Sequence, residues 1–153
     1  MRVKADVEVL QQIPLFANSD DVHLQFLSFS AKQVELEAGS ILFQKGVQGA
    51  AAYWVIEGTA EIYEDAEGIG QVIATAESGA LLGEMSMIAN VAYRVTVKTA
   101  SAFKAKRIER DLILRLAAEF PEFGLSIMRN LALRLGHSVE SLKEVAPLFQ
   151  TQA

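Results

Sequence analysis

Gly83 and Glu84, in tandem, carry the clearest chemistry in this sequence. A glycine followed by a carboxylate at the start of a short helical turn leaves backbone N–H groups free beside an acceptor. The N–H groups near Met85, Ser86 and Met87 can hold a phosphate, and Glu84 can accept from a hydroxyl. A plainer alternative stays open, in which Glu84 is an exposed first-turn glutamate favoured by the helix dipole. Other chemistries lack residues. There is no cysteine, and His23 and His137 are the only imidazoles, which removes disulfides, thiolate nucleophiles, cysteine zinc sites and most histidine-rich metal sites. Both histidines fall on helical segments flanking the middle of the chain and read as solvated or interfacial, and no Ser-His-Asp grouping has local support. The expectation is a protein with neither enzymatic activity nor a metal.

The elements that must position Gly83 and Glu84 fit one domain over residues 1–153, since a chain of this length with 51% hydrophobic residues buries a single sizeable core. Fourteen Lys and Arg against 19 Asp and Glu give a net charge of −5, which argues against a direct nucleic-acid partner. No run of 18 apolar residues is present, and Arg2, Lys4 and Asp6 interrupt any signal-peptide core, so a soluble, cytoplasmic protein without membrane insertion is expected.

Apolar residues recur at helical spacing at Val3, Val7 and Leu10 and again at Val22, Phe26 and Leu27. Two short helices bent around Pro14 are expected within residues 1–30, the second capped by Ser19 or Asp20. Residues 31–108 change to short β-branched runs broken by glycines. Strands are predicted at Gln33–Leu36, Ile41–Gln44, Tyr53–Ile56, Ala60–Glu64, Gln71–Thr75, Arg94–Lys98 and Ala102–Lys106. The helical period returns over 109–146, in Arg110–Glu119 and one long helix from about Glu122 to Val145. The fold class is α+β: a β-barrel or jelly roll flanked by N-terminal helices and a long C-terminal helix.

Ile13-Pro14-Leu15-Phe16, Glu37-Ala38-Gly39-Ser40-Ile41-Leu42-Phe43, Gly46 and Gly49 ahead of Tyr53-Trp54-Val55-Ile56-Glu57-Gly58, Gly83-Glu84-Met85-Ser86-Met87-Ile88 and Thr96-Val97 follow one another in an ordered pattern. That pattern resembles the cyclic nucleotide-binding domain of the catabolite-activator and kinase-regulatory-subunit type. The resemblance implies a phosphate-binding cassette over residues 83–97, with Gly83, Glu84, Met85, Ser86, Tyr93, Arg94 and Thr96 at the ligand, and cAMP, cGMP or a related molecule as that ligand. No other cofactor is implied. The family cassette places an arginine on the cyclic phosphate, and alignment on Gly83-Glu84 and Thr96-Val97 puts Tyr93 at that position. Strand alternation turns Tyr93 with Val95 and Val97 to one side and Arg94 to the other. A β-bulge at Ala92–Tyr93 would restore Arg94 to the inside. Without it, the lost charge-assisted contact costs on the order of 2–5 kcal/mol of binding.

Leu125, Met128, Ala132, Leu135, Val139 and Leu142 keep an a/d register on the long helix, with Phe123, Ile127 and Leu131 forming a second stripe. One stripe can pack on the domain and the other on a partner helix, as the resemblance implies for a homodimer. The family's DNA-reading domain would follow this helix, and the residues after it are too few for a helix-turn-helix. If Tyr53 and Val55 face inward, Trp54 and Ile56 face outward, and with Tyr63 they would form an aromatic-aliphatic patch for a protein partner unless the terminal helices cover them. Two functions therefore remain open: a regulatory module sensing a cyclic nucleotide with weakened affinity, or a domain that has lost its ligand and serves as an interaction or assembly subunit.

Overall fold

The computed structural model describes residues 2–150, and the side chains of residues 4–142; Val3, counted above in the helical period, lies outside the described side chains. Asp20 starts α2 (Asp21–Ser30) by accepting the Val22 N–H at 2.9 Å. Before it run α1 (Arg2–Gln12) and a single 3-10 turn, Pro14–Phe16, which Pro14 can open because that position needs no N–H. The strands are β1 (Lys32–Leu36), β2 (Ile41–Phe43), β3 (Ala51–Glu57), β4 (Ala60–Tyr63), β5 (Val72–Ala76), β6 (Leu81–Leu82), β7 (Thr96–Thr99) and β8 (Phe103–Glu109). Helix α3 (Glu84–Ala89) interrupts them, and α4 (Arg110–Glu119) and α5 (Pro121–Gln150) follow. Two four-stranded antiparallel sheets face each other, ordered β1-β8-β3-β6 and β2-β7-β4-β5, so the fold is a jelly roll of two sheets and not a closed barrel. No described helix is long and apolar enough to cross a membrane.

Strand β3 is buried on both faces and divides the core. Ala51, Tyr53 and Val55 point between the sheets, where they meet Leu42, Phe43, Tyr93, Val97 and Phe103. Ala52 and Trp54 point the other way, into a second core built by Leu10, Leu24, Leu27, Ile108, Leu112 and Phe123 from the terminal helices and β8. The expected outward patch is therefore absent. Trp54 is 2% exposed and Ile56 half-buried beneath the helices. Tyr63 stands on the other sheet, 8% exposed beside the Gly68 hairpin tip. Lys106 locks this cover in place: its Nζ meets Asp6 Oδ2 of α1 at 3.2 Å and the Ser28 carbonyl of α2 at 3.1 Å, and lies 5.5 Å over the Trp54 ring.

Of the two settings expected for His23, solvated or interfacial, the structure excludes the solvated one. His23 is buried, 4.6 Å from the Phe120 ring and 6.1 Å from that of Phe123, inside the junction of α2 with α4 and α5. His137 is exposed. The predicted strands shift most at three places: β3 already begins at Ala51, Arg94 and Val95 precede β7, and β8 runs on to Glu109, straight into α4. Strand β6, two residues long, was too short to show any alternation.

Candidate functional site

The segment from Gly83 to Val97 crosses from the helical side of the molecule to the sheet pair. Gly83 caps α3 with φ +78°, and a Cβ there would stand 2.9 Å from Tyr93 Cε1 and 3.3 Å from Phe43 Cε2. Both the backbone angle and the contact require glycine. Farther on, a Cβ at Gly49 would stand 2.7 Å from the Val91 carbonyl, so the segment lies flush on the loop between β2 and β3. Gly49 N–H donates to that carbonyl at 3.0 Å, Tyr93 N–H to Val47 O at 2.8 Å and Gly46 N–H to Tyr93 O at 2.9 Å.

These anchors fix the direction of Tyr93. Its side chain, 5% exposed, enters the space between the sheets, stacks on Phe43 at 4.1 Å and donates its hydroxyl to Ala51 O at 2.5 Å. Phe43 stacks in turn on Tyr53 at 5.9 Å. Arg94 is exposed, so the backbone at Ala92–Tyr93 does not return it to the interior. Thr96 is fully buried, but on the face away from the interior packing of Val95 and Val97. Its Oγ1 donates to Ala66 O at 3.1 Å and accepts from Lys45 N–H at 3.0 Å, tying the hairpin tip to the end of β2.

Glu84 sits in the first turn of α3 with its side chain 16% exposed, and its Oε1 accepts from Arg134 Nη1 of α5 at 3.4 Å. Met85 is exposed, Ser86 is buried, and the Met87 N–H donates to Gly83 O at 3.1 Å, so that N–H is committed within the helix. Of the candidate ligand residues the structure brings Gly83 and Tyr93 together, sets Glu84 against α5, and sends Arg94, Met85 and Thr96 elsewhere. Sequence reasoning missed Arg134, and also Asn130 one turn earlier, whose Nδ2 donates to Leu15 O at 2.8 Å and Ala17 O at 3.0 Å. Their i, i+4 spacing beside the buried stripe was the available signal. The first stripe is exposed from Leu125 through Met128, Ala132, Leu135 and Val139 to Leu142, while Phe123 and Ile127 are buried in the domain.

Burial pushes the Tyr93 hydroxyl above the ordinary tyrosine range, and neighbouring Tyr53 adds to the rise. The folded state therefore holds this proton more tightly than the unfolded chain does. Stability is intact below the unfolded tyrosine value, about 10, and falls as pH climbs through the folded one. The urea midpoint of the wild type should drop more between about pH 9 and about pH 11 than that of Tyr93→Phe. Tyr63, raised in the same direction, is common to both proteins and cancels in the comparison. Equal drops would remove Tyr93 as the source.

A family model described as a cyclic nucleotide-binding domain matches residues 33–120. Among curated proteins the chain is 25% identical over 122 residues to the cAMP-dependent protein kinase regulatory subunit of Schizosaccharomyces pombe, a match covering 80% of this chain and 28% of that protein. It therefore spans less than a third of that relative's length. Among solved structures, the N-terminal domain of a transcriptional regulator from Streptomyces coelicolor A3(2) superposes with a TM-score of 0.78 at 27% identity, covering 85% of this chain and 94% of that one. A cyclic nucleotide-binding-like protein from Brucella abortus gives 0.66 at 30% identity, covering 74% and 98%.

Proposed function

Because the chain belongs to the cyclic nucleotide-binding domain family, we propose that it is a non-catalytic regulatory module whose nucleotide position is filled by its own Tyr93, acting as an assembly subunit through α5. One observation carries this reading: the Tyr93 ring is packed on Phe43 at 4.1 Å with its hydroxyl on Ala51 O, where the family cassette directs a guanidinium at phosphate. A cyclic phosphate entering there would meet a phenol ring in place of a bidentate cation, and Arg94 is on the outside. The exposed a/d stripe from Leu125 to Leu142 supports the assembly half. A helix with one stripe buried at home and another apolar stripe in water is matched by a second copy with the same heptad register, giving a homodimer. The Gly83-Glu84 turn favours a second reading, a sensor of weakened affinity in which Tyr93 and Phe43 move aside for the ligand.

Calorimetric titration with cAMP and with cGMP separates the two readings. No heat up to millimolar ligand is expected, and saturable binding at or below that concentration would replace the first reading with the second. Light scattering on the same sample should report a dimer that Leu135→Asp converts to a monomer. A wild-type monomer at high micromolar concentration would end the assembly reading.

A further inference from the structure

Arg107 is a cation directed between the sheets from the wall opposite the cassette. In β8 it shares the alternation of Phe103 and Ala105, both packed in the interior core, and it pairs with Tyr53 of β3 in register. Its Nη1 donates to the Tyr53 hydroxyl, and its guanidinium lies 5.6 Å from the centroid of that ring. The Arg107 side chain is 35% exposed, so solvent reaches it, whereas Tyr53 is 6% exposed.

The polar groups around this pair are not used up. Arg107 Nε is 3.8 Å from Glu109 Oε1, and the same oxygen is held at 2.6 Å by Lys32 Nζ, so Glu109 is shared and does not meet the fork edge-on. The Tyr53 hydroxyl accepts from Arg107, and among the described residues no acceptor takes its own proton. Tyr93 offers nothing more, since its hydroxyl is committed to Ala51 O. What remains are guanidinium N–H groups and one phenolic O–H within a hydrogen bond of each other. Two such donors suit an acceptor with two oxygens.

The geometry points to Arg107 and Tyr53 forming a binding site for a small carboxylate where the Arg107 side chain reaches solvent. Charge selects an anion: Arg107, Lys32 and Arg115 stand against the single carboxylate of Glu109. The Tyr53 ring and the stacked Phe43 supply an apolar wall beside the donors, which suits a carboxylate with a short hydrocarbon or aryl body. This site goes beyond the reading of the cassette: it borders the same Phe43 ring that Tyr93 stacks on, but takes its donors from Arg107 and Tyr53.

The test is a titration of the full chain with acetate and benzoate at constant ionic strength, following the Arg107 Nε–H and the Tyr53 amide by NMR. Saturable shifts are expected at both. Arg107→Gln should raise the half-saturation concentration by about tenfold or more, the loss of a charge-assisted pair, and Tyr53→Phe by about threefold or more. Lys104→Gln, at the far end of β8, should change nothing. Thermal unfolding separates folding from binding: if Arg107→Gln does not fold, Tyr53→Phe alone decides, and an unchanged titration in that variant overturns the site. Shifts that never saturate also overturn it. Tighter saturation by inorganic phosphate than by acetate would overturn the carboxylate assignment.

Discussion

Trp54→Ala is expected to cost about 3–5 kcal/mol of folding stability, read from the midpoint and slope of guanidinium unfolding. The side chain is 2% exposed and sits where β3 meets the helices, in the same core as Leu10, Leu24 and Leu27. Truncation at Cβ leaves a cavity beneath two helices that cannot close over it, because Lys106, Asp6 and Ser28 hold α1 and α2 to β8 at fixed hydrogen-bond distances. It also removes the ring under the Lys106 ammonium. Trp54→Phe should cost much less, about 1–2 kcal/mol, because Nε1 has no hydrogen-bond partner among the described residues and an aromatic face is kept. A shift below about 0.5 kcal/mol for the alanine variant would mean that Trp54 behaves as a surface residue, and the account of two cores would be wrong.

The same residue marks where the sequence is legible and where it stops being so. Alternation along β3 correctly separates Tyr53 and Val55 from Trp54 and Ile56, since period two is a local property of the strand. What lies against each face is not local: the cover on Trp54 comes from helices at both chain ends. His23 shows the same limit, because the rings that enclose it, Phe120 and Phe123, belong to a distant helix pair. Helix α4 was legible to its ends, Arg110 and Glu119, since Pro121 closes it. At the cassette, the inward turn of Tyr93 follows from its spacing to Thr96 and Val97. Its acceptor on Ala51 depends on how the β2–β3 loop docks, and no pattern in the sequence encodes that. Arg107 shares parity with Phe103 and Ala105, so its direction was readable. Its meeting with Tyr53 depends on the β3–β8 register, which only the folded sheet sets.

Tyr93→Arg reverses the substitution that distinguishes this cassette, and it should make stability depend on ligand. Without ligand the variant is expected to lose about 3–5 kcal/mol, since a guanidinium would enter a space lined by Phe43 and Tyr53 and within reach of the Arg107 cation. The stack at 4.1 Å and the hydroxyl bond to Ala51 O disappear with the ring. A cyclic phosphate would supply the missing counter-charge, and ligand at about 100 times its dissociation constant returns about 2.7 kcal/mol. The unfolding temperature of Tyr93→Arg should therefore rise with millimolar cAMP while that of the wild type stays still. Tyr93→Leu isolates the charge: it loses the same ring and hydroxyl but carries no cation, so its lower stability should not respond to nucleotide. If cAMP raises wild type and Tyr93→Leu as much as Tyr93→Arg, phosphate recognition does not run through this position. The ring between Phe43 and Ala51 would then be packing and not a plug. If only Tyr93→Arg responds, one side chain separates a nucleotide receptor from a domain that has filled its own pocket, because the glycine turn, Glu84 and the sheet pair are common to all three proteins.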